Sequence, residues 1–252
     1  MTQISRRKLI TTGIAAAAGA TGLVAAAKVA QHQGLIPPDS SGIYGPGETL
    51  TYAAQRLMNS HAMAREFSRS EISEKPFANE VAPLGNEFQR MQAAGFADWR
   101  LVVDGMAARP MSFSLDEIKS YPKSSQITML GCEEGWTYIA EWAGVPLSHI
   151  LDRVGASPQV RYVVYRSIQP EQWESIDMAD AMHPQTLVAH GMNGAELPVP
   201  FGGPLRLRVP RQLGYKNIKY ITRITLTDSL KSFGKGTGGA NSDDGYAWYA
   251  GI

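Results

Sequence analysis

ITMLGCEEGWTYIAEWAGVPLSHIL, residues 127–151, is the stretch on which the reading of this chain turns. An apolar, strand-like run from Ile127 to Leu130 delivers Gly131-Cys132, and polar Glu133-Glu134 and flexible Gly135 follow. A thiol at such a junction is held by the strand while the loop leaves room for a ligand. Cys132 is the single cysteine of 252 residues. An intrachain disulfide and a cysteine-rich zinc or iron–sulfur site are therefore excluded. If Cys132 acts, it acts as a nucleophile, as a redox thiol or as one ligand of a metal held mainly by something else. A thiolate is a soft ligand suited to redox-active metals, and a metal would keep it deprotonated. Glu133 and Glu134 would raise the thiol pKa, which argues against a free nucleophile. His149 and His190 can approach only through the fold. The residues alone leave three readings open: a buried inert cysteine, a metal ligand and a nucleophile.

Outward from this stretch, Leu147, Ile150, Leu151 and Val154 form an apolar helical stripe that reads as ordinary core. Short β-branched and aromatic runs predict strands in WRLVVDG (99–105), RYVVYRSI (161–168), LRLRVP (205–210) and IKYITRITLTD (218–228). Ser114 followed by Glu117 predicts a capping box. Upstream, residues 31–50 read as irregular, TYAAQRLMNSHAMAREF (51–67) as a helix, and the segment 70–95 as loop-like. The tail GKGTGGANSDDGYAWYAGI (234–252) opens as a flexible Gly-rich loop, and Tyr246, Trp248 and Tyr249 can pack its end onto the domain. The expected fold class is a mixed, strand-rich α/β (α+β) domain over residues 95–252, with an irregular and helical extension, 31–94, packed on it. Repeats, heptads and GxGxxG or GxxxxGK phosphate loops are not found.

The start, MTQISRRKLITTGIAAAAGATGLVAAAKVA, has the basic, apolar, small-residue order of a secretory signal. Its adjacent Arg6 and Arg7 match a twin-arginine signal. Residues 1–30 are thus expected to direct export to the periplasm of a protein already folded. An uncleaved anchor is the alternative, weakened by the Ala and Gly content of the stretch. The formal net charge of +1, with 44% hydrophobic and 19% charged residues, is that of a globular protein and argues against a general nucleic-acid binder.

At residues 95–252 the chain resembles the sulfite oxidase-like molybdopterin oxidoreductases, in particular short bacterial twin-arginine-exported forms with the molybdopterin-binding domain alone. The resemblance rests on WRLVVDGMAARPMSFSLDEIKSYP, on GCEEGW continued by EWAGVPLSHILDRVG, and on TLVAHGMNGAELPVPFGGPLRLRVPRQLGYKNIKYITRI, taken in that order and spacing. It implies a sulfite oxidase-type fold in which the Cys132 thiolate binds molybdenum beside the dithiolene of a single molybdopterin, with no haem in this chain. Asn193-Gly194 matches the family's MNG turn, although Asn-Gly is also a plain hairpin turn. Arg206, Arg208, Arg211, Lys216 and Lys219 form the densest basic cluster of the mature chain. On residues alone this is a solvated surface. The resemblance makes Arg211 and Lys216 cofactor contacts, with Arg206 a further one, because guanidinium and ammonium groups suit phosphate.

The resemblance implies two-electron redox chemistry, with oxygen-atom transfer, on a small-molecule substrate. Glu133, Trp136 and His190 are expected to line the substrate side together with Cys132. Electrons would pass to or from an external partner such as a c-type cytochrome or a membrane quinone-linked protein. Sulfite-oxidising relatives carry an arginine soon after the cysteine, where this chain has Glu133-Glu134, so sulfite is doubtful. Phe201 stands where relatives often have histidine, and His190 where tyrosine is common. Two other readings are kept: a non-catalytic molybdopterin-binding or electron-relay module, and a metal-free exported binding protein.

Overall fold

The structure, a computed structural model, describes Lys28, Ala30 and residues 34–41, 44–79, 82–83 and 85–252. The targeting reading of residues 1–30 falls outside the described residues, apart from Lys28 and Ala30. No helix among the described residues is long and apolar enough to cross a membrane.

Among the described residues, ten strands form two five-stranded sheets. The first contains β1 (Arg100–Gly105), β2 (Met111–Ser114), β5 (Tyr162–Ser167), β6 (Trp173–Asp177) and β10 (Ile221–Thr227), in the order β2-β1-β10-β5-β6. Its β1–β10 pair is parallel and its other pairs are antiparallel. The second contains β3 (Ser124–Gly131), β4 (Thr137–Pro146), β7 (Leu187–Met192) and β8 (Ala195–Glu196), in that order, with β9 (Arg206–Arg208) also paired to β7. This is the mixed, strand-rich α/β fold expected.

Side-chain alternation along the strands places three apolar layers. On β5, Val163 and Tyr165 enter a core shared by both sheets, and Tyr162 and Val164 face the opposite side. The shared core also takes Val145 of β4, Val188 of β7 and Leu207 of β9. The stripe Leu147, Ile150, Leu151 and Val154, on helix α4 (Leu147–Val154), is fully buried there. At roughly 1.5–3 kcal/mol per large side chain removed from water, this layer dominates the stability of the domain. The far face of the second sheet gathers Leu130, Tyr138, Ala140, Trp142 and Leu197, packed by Trp136 and Phe201. Helix α3 (Leu115–Ser120) opens with the expected capping box: Glu117 N donates to Ser114 Oγ (3.1 Å), and Ser114 N donates to Glu117 Oε2 (2.7 Å).

Two upstream expectations are corrected. Helix α1 spans Gly45–Met58, starting six residues and ending nine residues earlier than the periodicity predicts, with Pro46 in its first turn, where the amide has no helical partner to lose. Its register is set by Tyr52 and Arg56, one turn apart. Tyr52 Oη donates to Asp177 Oδ2 (2.6 Å), and Arg56 grips Asp180 with both terminal nitrogens (3.2 and 2.7 Å). Within the segment read as a loop lies α2 (Asn86–Ala93), whose one buried residue, Phe88, packs on Phe96, Trp99 and Tyr220. A two-turn helix with a single apolar anchor leaves no period to read. At the C-terminus, after α5 (Met178–Ala181) and α6 (Ala240–Asp243), Trp248 and Tyr249 are buried against Tyr52 as expected, while Tyr246 remains exposed.

Candidate functional site

The β3–β4 hairpin carries Cys132 at its tip. Cys132 N donates to Trp136 O (3.0 Å) and Gly135 N to Cys132 O (3.1 Å), with Gly135 at φ +91°, a conformation that side chains disfavour. Trp136 is fixed by stacking on Tyr138 at 6.0 Å between ring centroids and by contact with Phe77. The hairpin thus holds the thiol at the wall of a cleft of about 360 Å³.

Facing the thiol is the turn Gly214–Lys216. A β-carbon on Gly214 would meet Cys132 Cα, Cβ and Sγ at 3.4 Å, so the turn lies against the cysteine with no side chain between them. Arg206, Asn217 and Lys219 line the cleft beneath this turn, Asn79 and Trp136 its side, and Asn241 and Asp244 the wall formed by the C-terminal tail. Arg206 is only 4% exposed. It donates from Nε to Asn217 O and from Nη1 to Phe201 O (both 2.9 Å). Lys219 Nζ donates to the carbonyls of Asn79 and of Pro200 (2.8 Å). The floor is thus cationic.

The thiol lies beside carboxylates. Cys132 Sγ donates to Glu133 Oε2 (3.1 Å), and Glu134 Oε2 accepts from Trp136 Nε1 (2.8 Å) and Asn79 Nδ2 (3.2 Å). Burial, and then the hydrogen bond and charge of Glu133, push the thiol up to about 11. A free thiol here stays protonated at neutral pH, which disfavours the nucleophile reading. Burial also lowers the pKa of Arg206.

Four sequence-selected residues lie elsewhere. His190, on β7, lines a second cleft with Ser114, Lys119 and Glu196, so it does not line the cleft of Cys132. Arg211 donates to Ser60 O (2.9 Å) and Asn59 O (2.6 Å) and pairs with Asp180 at 3.4 Å, which turns it toward the end of α1. Lys216 pairs with Glu174 at 2.5 Å with both side chains fully buried, behind the turn rather than in the cleft. Asn193 is an exposed residue of the β7–β8 hairpin, at φ +51° before Gly194 at +80°, and its Oδ1 accepts from Glu141 N (2.9 Å). That is the hairpin role Asn-Gly performs by itself. Glu133, Trp136 and Arg206 do line the Cys132 cleft. Lys219 belonged to the basic cluster without being singled out. Asn79, Asn217, Asn241 and Asp244 carried no sequence signal, since amides and carboxylates in loops are common.

A model of the oxidoreductase molybdopterin binding domain family matches residues 88–232, over half of the chain. The chain belongs to that family. Among curated proteins, this molybdopterin-binding oxidoreductase domain is 36% identical over 195 residues to an inferred protein-methionine-sulfoxide reductase subunit, YedZ1, of Azospira oryzae, with 77% of this chain and 70% of that protein covered. It is 37% identical over 147 residues to the protein-methionine-sulfoxide reductase catalytic subunit MsrP of Xanthomonas campestris pv. campestris and, equally, to that of Xanthomonas axonopodis pv. citri. Those matches cover 52% of this chain and 46% of each relative, so the chain spans under half the length of these two proteins. Among solved structures, the sulfane dehydrogenase SoxCD from Paracoccus pantotrophus shares the fold, with a TM-score of 0.52 at 20% identity over 68% of this chain and 46% of that one.

Proposed function

We propose that this chain is the catalytic molybdopterin subunit of an exported oxidoreductase that reduces sulfoxides, with Cys132 as the protein's ligand to molybdenum held by a single molybdopterin. The observation that carries this reading is the setting of Cys132: a solvent-reaching thiol over a cationic floor, in a cleft whose volume is that of small-molecule sites. Among the described residues no three His, Cys, Asp or Glu side chains gather to hold a metal. A metal at Cys132 would therefore take its other ligands from its own cofactor, as a dithiolene provides, and a thiolate suits such a soft centre.

The residues fit this group. Arg206 and Lys219 offer positive charge to a phosphate, and Asn79, Asn217 and Asn241 offer amide donors and acceptors to a pterin edge. Arg211 and Lys216, first assigned as phosphate contacts, support the walls through Asp180 and Glu174. When bound, the cofactor supplies a two-electron centre able to take up an oxygen atom. Cys132 anchors it. Glu133, the thiol's hydrogen-bond acceptor, is placed to take the proton that Cys132 gives up on binding metal. Trp136 forms the wall beside it. The overall change is sulfoxide plus two protons and two electrons to thioether plus water. The electrons come from an external partner, a c-type cytochrome or a membrane quinone-linked protein, after twin-arginine export to the periplasm directed by residues 1–30. Residues 31–94 act as an extension packed on the catalytic domain, 95–252. Identity to proteins named as methionine-sulfoxide reductases supports the substrate class.

The test is molybdenum and pterin content in protein purified from its native periplasm, wild type against Cys132→Ser, with reduction of methionine sulfoxide by a reduced dye. Near-stoichiometric molybdenum in the wild type and an altered electron paramagnetic resonance signal in the variant are expected. Metal-free wild type from cells with working cofactor assembly overturns the proposal.

A further inference from the structure

The walls of the Cys132 cleft carry opposite charge at two depths. Arg206 and Lys219 lie at the floor, committed to backbone carbonyls. At the mouth stand three exposed carboxylates from three separate segments: Glu133 of the Cys132 hairpin, Glu171 of the β5–β6 turn and Asp244 of the C-terminal tail. None of the three forms an ion pair among the described residues.

The tail is fixed in place as a wall. Fully buried Glu174 accepts from Asn241 N (3.1 Å) and Asn241 Nδ2 (2.9 Å) on one oxygen and from Lys216 on the other, tying the tail to the turn that faces Cys132. Trp248 Nε1 donates to Ser175 Oγ (2.9 Å), and Tyr215 Oη to Ala247 O (2.6 Å). Of the tail's adjacent aspartates, Asp243 turns back to bond Lys235 and Thr237, and Asp244 is left at the cleft. Residues 233–252 lie beyond the span matched by the family model.

We propose that the tail, through Asp244, joins Glu171 and Glu133 to give this cleft an acidic mouth that selects sulfoxide substrates with positive charge beside the sulfur and repels anions. This rests on the function proposed above. An approaching anion meets the exposed carboxylates before buried Arg206 and half-buried Lys219, whereas a lysine or arginine flanking the sulfoxide is drawn to the carboxylates. Such attraction acts through water, so it is modest and salt-sensitive.

The test is binding of three short peptides of equal length, each with methionine sulfoxide at the centre and flanked by Lys, Gly or Asp. Full-length protein purified from cells that make molybdopterin is used, as wild type and as the double variant Glu171→Gln, Asp244→Asn. Both sites are exposed, so the fold is not at stake. At separations on the order of 8 Å in water each carboxylate is worth about two- to threefold in Kd. The wild type is expected to bind in the order Lys, Gly, Asp, and the Lys-to-Gly gap should shrink about fivefold in the double variant and collapse at about 0.5 M salt. Equal affinities in the wild type, or a gap left undiminished by the double substitution, overturn the proposal. Turnover of the Gly peptide is read separately: its absence counts against the sulfoxide reductase reading, while the binding order still decides the acidic mouth.

Discussion

Gly214 lies against Cys132: a methyl group there would meet Cys132 Cα, Cβ and Sγ at 3.4 Å. Gly214→Ala should therefore load with cofactor, since that distance is an ordinary van der Waals contact. Gly214→Leu would fill the space beside Sγ and should lose most of its molybdenum while melting near the wild-type temperature. Metal analysis beside a thermal melt checks this, and a fully loaded leucine variant would show that the cofactor sits elsewhere.

Lys216 and Glu174 form an ion pair with no exposed surface on either side chain. Removing one charge strands the other, at a cost of about 3–5 kcal/mol. Glu174→Gln should lower the urea midpoint accordingly. The double variant Glu174→Leu, Lys216→Met should recover much of the loss, because two well-packed apolar side chains of similar volume can replace a buried pair. A double variant no more stable than the single would show that the backbone contacts of Glu174, not its charge, dominate.

Arg56 anchors α1 on two buried carboxylates, at 2.6 Å from Asp177 and 2.7 Å from Asp180. Arg56→Ala should cost about 3–5 kcal/mol and expose the segment around α1 to proteolysis ahead of the sheets. Arg56→Lys keeps a charge but loses the two-pronged grip, and should fall between. Limited proteolysis with mass mapping tests the order.

Burial, with Lys119 and Lys123 nearby, lowers the pKa of His190 from 6.5, and burial, with Arg211 nearby, lowers that of His183. The unfolded chain then takes up these protons before the native protein does. Their contribution to stability is whole above pH 6.5 and is lost as pH falls from there through the native pKa values. Replacing both histidines by glutamine should flatten this part of the stability profile, measured by urea titration between pH 7 and 5. An unchanged slope would show that these two histidines do not set it, and Asp177 could not replace them, since burial raises its pKa and gives a slope of the opposite sign.

Local chemistry made much of the fold legible. The apolar stripe on α4, the Ser114–Glu117 box, and β1, β5, β9 and β10 follow from period and capping, which depend on neighbours a few residues apart. The same logic fails for α2, held by Phe88 alone, and misplaces α1, whose register is decided by Asp177 and Asp180 more than 120 residues away.

At the site, the sequence by itself determined that one cysteine stands at the end of a strand, beside acidic and glycine residues, with a basic cluster downstream. It also determined the family, through the order of its motifs. Only the tertiary structure decided which members of that cluster face the thiol. Arg206 and Lys219 line the cleft, with bonds to backbone carbonyls among their contacts. Arg211 and Lys216 are turned away because Asp180 and Glu174 are buried and demand a counter-charge. Sequence adjacency records that the basic residues exist. Which carboxylate neutralises each one, and which remain at the cleft, is settled by contacts across the chain.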